Sequence, residues 1–132
     1  MEFDEYGDPK QHTIVMLHGA AATDTFANQY ALSQTYHLVI PHLSGAGRAV
    51  EKPYEPQHEL DELTAFIRSL GKQKVTVVGH SLGGELAVAL VAKHAELFDR
   101  AVFLSAWVCS TPKSVRKYVR MAKYSSFTLK WS

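Results

Sequence analysis

The chain has 132 residues, of which 46% are hydrophobic and 20% charged, a length and composition typical of one globular domain. Fourteen Lys and Arg residues against thirteen Asp and Glu residues give a net charge of +1, so no overall field favours nucleic acid or a membrane surface as partner. A single cysteine excludes an internal disulfide, no apolar run reaches the roughly 20 residues of a transmembrane segment, and residues 1–5 lack the features of a signal peptide, so we expect a cytoplasmic protein.

The first half of the chain carries three strand patterns. Residues 2–6 alternate charged and aromatic side chains, residues 13–17 form a continuous β-branched and apolar run, and residues 37–40 form another run that ends at Pro41. A continuous apolar run indicates a strand that is buried on both faces of a parallel sheet.

Small residues follow the second strand. Residues 18–22 read His-Gly-Ala-Ala-Ala, which lets the backbone approach a ligand closely. Asp24 is predicted to cap a helix that carries Phe26 and Tyr30 on one face.

The second half holds the clearest helix pattern. Residues 59–70 carry three acidic residues in their first turn and end before Gly71, whereas the two prolines in residues 52–57 predict an extended connection. Strand patterns follow at residues 75–78 and 101–104. The apolar stripe of the helix consists of Leu60, Leu63, Ile67 and Leu70.

Strands that alternate with helical stretches predict right-handed βαβ crossovers, and therefore an α/β fold with a mostly parallel sheet and helices on both faces. Ligands of such sheets bind beyond the carboxyl ends of the strands. Both Ser81 and the His18-Gly19 pair directly follow predicted strands. We therefore expect the functional site where these two segments meet.

The motif Gly79-His80-Ser81-Leu82-Gly83 lies where the strand pattern changes to a helix pattern. Glycines two residues before and after the serine permit a strained turn that exposes its hydroxyl, and a helix N-terminus favours negative charge there. The pattern indicates a nucleophilic serine. The alternative is that Ser81 is an ordinary helix cap and the glycines serve close packing.

Three motifs in this order resemble the N-terminal half of an α/β-hydrolase. They are residues 15–19, residues 41–47 and residues 77–84, and residues 94–100 also resemble the family's usual run into its sixth strand, with Ala95 where proline is common. The resemblance covers nearly the whole chain and implies a serine hydrolase that acts on an ester or related acyl substrate.

The resemblance also implies site residues. Ser81 would attack the carbonyl carbon, and the backbone amides of Ala20 and Leu82 would form the oxyanion hole. His18 would shape the loop after its strand, and His80 would pack beside the sharp turn at Ser81, which we call the elbow.

The chain departs from the family pattern after the serine. The family places its catalytic acid and histidine later in the chain, whereas here the only later aspartate is Asp99 and the only later histidine is His94. His94 would lie about 20 Å along the helix from Ser81. The remaining histidines are expected to be ordinary surface or loop residues: His12, His18, His37, His42 and His58. We therefore expect a truncated or weakly active hydrolase.

The family's last strands have no counterpart here, so strand 101–104 is expected to lie at an open edge. Residues 1–110 would form the core, and residues 111–132, with a basic helix that begins at Pro112, would begin a lid. The competing hypothesis is a non-catalytic remnant that forms a homo-oligomer through the open edge or binds a partner through that basic helix. Cys109 is expected to be a buried small hydrophobic residue.

No sequence pattern indicates a cofactor or a metal. The glycines at positions 45 and 47 lack the third glycine of a dinucleotide fingerprint, since Val50 occupies that position. His37 and His42 lie on either side of a proline turn rather than at a metal-ligand spacing.

Overall fold

The structure is a computed structural model that describes residues 1–106. Its elements, in chain order, are β1 (Phe3–Tyr6), β2 (Thr13–Leu17), a 3-10 helix (Ala27–Gln34), β3 (His37–Pro41), a 3-10 turn (Gly47–Ala49), α1 (Pro56–Ser69), β4 (Val75–His80), α2 (Leu82–Lys93), a 3-10 turn (Ala95–Leu97) and β5 (Phe98–Leu104). The predictions for Cys109, for the basic helix and for the lid lie outside the described residues.

The five strands form one sheet in the order β1-β3-β2-β4-β5. The pairs β2–β3, β2–β4 and β4–β5 are parallel, and only β1 runs antiparallel, against β3. This topology confirms the predicted mostly parallel α/β fold. Within residues 1–106, β5 pairs with β4 alone, and its last three residues, Val102 to Leu104, are 43–44% exposed.

Apolar side chains pack on both faces of the sheet. On one face, α1 and α2 cover the larger cluster, which includes Leu63, Leu86 and Leu90. On the other face, Phe26 anchors the first 3-10 helix against a smaller cluster that includes Met16 and Ile40. The predicted helical layers on both faces are therefore present, although the second layer is thinner.

Helix α1 begins earlier than predicted. Pro56 occupies the first turn, and the carboxylate of Glu55 accepts hydrogen bonds from the amides of Gln57 and His58. A proline is favourable at this position because the first helical amides have no partner within the helix. The prediction of an extended connection through residue 57 was therefore wrong at its end.

The predicted helix near Phe26 is a 3-10 helix, and the prediction that Asp24 caps it was wrong. The residue at its N-cap position is Phe26, and no side chain caps it. Phe26 is buried in the smaller cluster, so packing of its ring, rather than a cap, fixes where this helix begins.

Candidate active site

Ser81 connects β4 to α2 in a strained backbone conformation. Its φ is 53° and its ψ is −117°, a region that residues with a side chain rarely occupy. The Ser81 amide donates to the carbonyl oxygen of Leu104 at 2.9 Å, and its own carbonyl accepts from the amide of Glu85 at 3.0 Å. These hydrogen bonds hold Ser81 in its strained conformation. Strained residues of this kind are concentrated at functional sites.

The glycines of the motif allow α2 to approach the sheet. A Cβ atom on Gly79 would collide with the carbonyl of Gly83, and one on Gly83 would collide with the carbonyls of Leu17 and His18. The first turn of α2 therefore packs directly on the carboxyl end of β2. This contact brings the elbow beside the loop that follows β2.

That loop lies against Ser81. A Cβ atom built on Gly19 would be 3.8 Å from Cβ of Ser81. The Gly19 amide donates to Oγ1 of Thr25 at 3.1 Å, and the Ala22 amide donates to the Gly19 carbonyl at 3.3 Å. Within residues 1–106, the amides of Ala20 and Leu82 donate no hydrogen bond. The two amides that the resemblance assigns to the oxyanion hole thus have no acceptor among the described residues.

His18 is fully buried and connects two loops. Its Nδ1 lies 2.6 Å from the Gly19 carbonyl oxygen, and its Nε2 lies 3.1 Å from the Leu43 amide. An amide only donates and a carbonyl only accepts, so His18 is the neutral tautomer with its proton on Nδ1. Burial lowers the pKa of His18, in agreement with this neutral form.

The later aspartate and histidine lie away from the elbow. Asp99 accepts a hydrogen bond from Thr76 at 2.9 Å and pairs with His12 at 3.3 Å. Thr76 precedes Ser81 by five residues of extended chain, about 16 Å. His94 ends α2 as its C-cap. Neither side chain is brought to Ser81.

The expectation that the other histidines are ordinary surface or loop residues was wrong for His37, which is buried in β3, whereas His18 and His42 lie in loops but are buried as well. His18, His37 and His42 are all at least 96% buried. His37 contacts Thr13 at 2.8 Å and Glu5 at 2.6 Å. The reason is that β1 supplies carboxylates along the edge of β3, so imidazoles there can be buried with partners.

Glu59 and Ser44 are buried polar residues that the sequence reasoning missed. Glu59 is 1% exposed, and its Oε1 accepts the Ser44 amide at 3.1 Å. The signal was present in the sequence, because Glu59 precedes Leu63 and Ile67 at intervals of four and therefore lies on the apolar stripe of α1.

An apolar cavity of about 510 Å³ lies on the sheet face opposite α2. Its lining includes Met16, Phe26, Val78, His80 and Leu104. In the described part of the chain, no three His, Cys, Asp or Glu residues are grouped to hold a metal ion. The same residues contain no helix of the length and apolarity that a membrane span requires.

Residues 12–129 match the family model described as the alpha/beta hydrolase fold. The chain belongs to this family. It is 32% identical over 88 residues to RutD of Pseudomonas syringae pv. syringae (strain B728a), which is provisionally named a carbamate hydrolase, and the match covers 64% of this chain and 34% of that protein. It is 29% identical over 105 residues to the 2-hydroxymuconate semialdehyde hydrolase of Pseudomonas putida, a match that covers 74% of this chain and 37% of that protein.

The family fold is also seen in solved structures. The meta-cleavage product hydrolase CumD of Pseudomonas fluorescens IP01, as a serine-to-alanine mutant complexed with acetates, superposes with a TM-score of 0.69 at 24% identity, over 83% of this chain and 43% of that one. The chain thus spans about a third to a half of the family members that it matches.

Proposed function

We propose that this chain forms the nucleophile-bearing part of a serine hydrolase that cleaves an ester or related acyl substrate. The observation that carries the proposal is the left-handed backbone of Ser81 at the junction of β4 and α2, directly beside Gly19. Membership of the α/β-hydrolase family supports it, as do relatives that are named hydrolases.

In the proposed reaction, Oγ of Ser81 bonds to the acyl carbon while its proton passes to a base. The carbonyl oxygen becomes an oxyanion, which the amides of Ala20 and Leu82 bind. Collapse of this intermediate breaks the bond to the leaving alcohol, which takes the proton, and water then releases the acid by the same steps. Removal of one oxyanion donor costs about 3–4 kcal/mol of barrier in comparable sites.

The histidine and the carboxylate that complete this chemistry are proposed to come from outside the 132 residues. After Ser81 the sequence has one histidine, His94, and one aspartate, Asp99, which lie at the far end of α2 and at the amino end of β5. A serine without its base loses several orders of magnitude in rate, although an oxyanion hole alone retains some catalysis. The activity of this chain by itself should therefore be low.

Imidazole can stand in for the missing base in a direct test. Turnover of p-nitrophenyl acetate should rise with added imidazole above the sum of the rates of imidazole and of protein alone, and a fluorophosphonate probe should label Ser81. Ser81→Ala should lose both effects, whereas Ser33→Ala, in the Ala27–Gln34 helix, should keep them. The proposal fails if Ser81 is unlabelled and turnover is absent, even when the C-terminal part of the Pseudomonas putida relative is supplied.

A second candidate function is association of two copies through β5. In the described residues this strand pairs on one side only, and Val102, Phe103 and Leu104 are exposed in succession. Unpaired apolar edges favour strand pairing, and a two-fold axis would pair β5 with its own copy. Light scattering tests this candidate, because a stable monomer at high concentration contradicts it, and Phe103→Lys should convert a dimer to a monomer.

A further inference from the structure

We propose that Glu59 is a positioning residue that holds the loop after β2, which contains Gly19 and Ala20, through a relay of hydrogen bonds from α1 to Gly19. This inference rests on the proposed function, since it assigns to the relay the orientation of the Ala20 amide.

The relay begins at a buried carboxylate. Oε1 of Glu59 accepts the Ser44 amide at 3.1 Å, and the preceding amide, that of Leu43, donates to Nε2 of His18 at 3.1 Å. Glu59, Leu43 and His18 are each at least 99% buried. The carboxylate therefore fixes the backbone segment that supplies the hydrogen bond to His18.

The next step fixes the imidazole. Because the Leu43 amide occupies Nε2, the proton of neutral His18 lies on Nδ1, which donates to the Gly19 carbonyl oxygen at 2.6 Å. Displacement of residues 43–44 would free Nε2 to carry the proton instead, and the hydrogen bond to Gly19 would be lost.

The final step orients the proposed oxyanion donor. The carbonyl of Gly19 and the amide of Ala20 belong to one planar trans peptide, so their C=O and N–H point in opposite directions. Holding the Gly19 oxygen toward His18 therefore directs the Ala20 N–H to the other side. Gly19 lies beside Ser81, where an error of about 1 Å in a donor can cost about a hundredfold in rate.

Packing alone does not account for Glu59. Its Oε2 and the Oγ of Ser44 are buried without a hydrogen-bond partner among the described residues, which is unfavourable for a residue that only fills the core. A leucine on the same stripe would avoid that penalty.

Two substitutions at Glu59 test the relay in the full chain. Glu59→Met keeps the volume but removes the acceptor, so the ring ¹⁵N signals of His18 should show a mixture of tautomers and the Ser44 amide should exchange faster with solvent. Fluorophosphonate labelling of Ser81 should slow by about tenfold or more. Glu59→Gln keeps an acceptor oxygen and should restore all three readouts to within about twofold of wild type.

Glu62→Met is the matched control, because Glu62 lies on the same helix and pairs with Lys52 outside the relay. Should Glu59→Met fail to fold, Glu59→Asp withdraws the carboxylate by one methylene and should differ from Glu59→Gln in the same readouts. Unchanged His18 tautomer and Ser44 exchange in the variants that lack the contact would overturn the relay. These two readouts do not require a reactive Ser81, so an unlabelled wild-type serine counts against the proposed function and leaves the relay to be judged on its own.

Discussion

The amide of Ser81 is hydrogen-bonded to the carbonyl oxygen of Leu104 at 2.9 Å. The last residue of β5 thus holds the turn that begins α2, although the two residues are far apart in sequence. The elbow is therefore part of the β4–β5 pairing rather than a free loop. Substitutions at the elbow should therefore change the free energy of unfolding of the chain as well as the reactivity of Ser81.

Ser81→Gly should stabilise the protein while it abolishes labelling by a fluorophosphonate. Glycine adopts a φ of 53° without steric cost, and strain of this kind costs about 1–3 kcal/mol. We expect urea denaturation to show a gain of about 1 kcal/mol in the free energy of unfolding.

Ala21→Gly provides the control for that experiment. Ala21 has a similar φ of 55°, so its replacement should also stabilise the chain, but the nucleophile remains and labelling should persist. Equal loss of labelling in both variants would show that labelling depends on the backbone conformation of this region rather than on the Ser81 hydroxyl.

Gly83→Ala should destabilise the chain by about 3 kcal/mol or more. The added methyl group would meet the backbone carbonyls of Leu17 and His18, which cannot move without shifting β2. Gly71→Ala is the comparison, since a Cβ atom there meets nothing within 4 Å and only its φ of +67° is unfavourable, at about 1–2 kcal/mol. Thermal denaturation that ranks Gly71→Ala as the more damaging change would contradict this packing.

Asp4 should contribute to stability at neutral pH and lose that contribution in acid. The hydrogen bond from His42 lowers the pKa of Asp4 below its usual 3.8, burial opposes this, and Arg48 adds to the lowering. The unfolded chain then binds the proton more tightly, so stability falls as the pH drops below about 4. In Asp4→Asn, the urea midpoint should therefore change less with pH in this range than it does in wild type. Asp24→Asn replaces an exposed acid and should leave the pH dependence of the midpoint unchanged.

Glu85 should have the opposite dependence on pH. Burial in the first turn of α2 raises the pKa of Glu85 above 4.5, so ionisation destabilises the folded state as the pH rises through the raised value. The free energy of unfolding of Glu85→Gln, relative to wild type, should therefore increase from pH 4 to pH 7. A constant difference over that range, as expected for the exposed Glu51→Gln, would show that burial of Glu85 has no such effect.

The sheet could be predicted because its strands carry local signals. Residues 13–17 and 75–78 are runs of β-branched and apolar residues, a pattern that is visible without knowledge of which strands pair. The glycines around Ser81 likewise indicate a local requirement of the backbone. The start of α1 was missed because two prolines predicted an extended connection, whereas Pro56 together with the Glu55 cap begins a helix. A proline in a linker and a proline in the first turn of a helix look alike in the sequence. Only the capping residue before the proline distinguishes the two cases.

The polar interior could not be predicted in the same way. His37 is buried because Glu5 and Thr13 meet it, and β1 and β3 are brought together only by long-range pairing. The burial of Ser44 depends likewise on a helix that follows it. The hydrogen bonds of such residues are made with groups that are distant in sequence. The pattern of a single sequence therefore does not show which residues pair.

The order of the strands in the sheet has a consequence for how the chain folds. Strand β2 lies between β3 and β4, and Ile14 pairs with Thr76. One edge of β2 therefore pairs with a strand that lies about 60 residues later in the sequence. Closing a loop of that length costs entropy before any contact repays it, which slows assembly. During synthesis, the paired strands β1, β3 and β2 would therefore present an uncovered apolar edge until β4 emerges from the ribosome, and this interval is when the chain is most open to aggregation or to capture by chaperones.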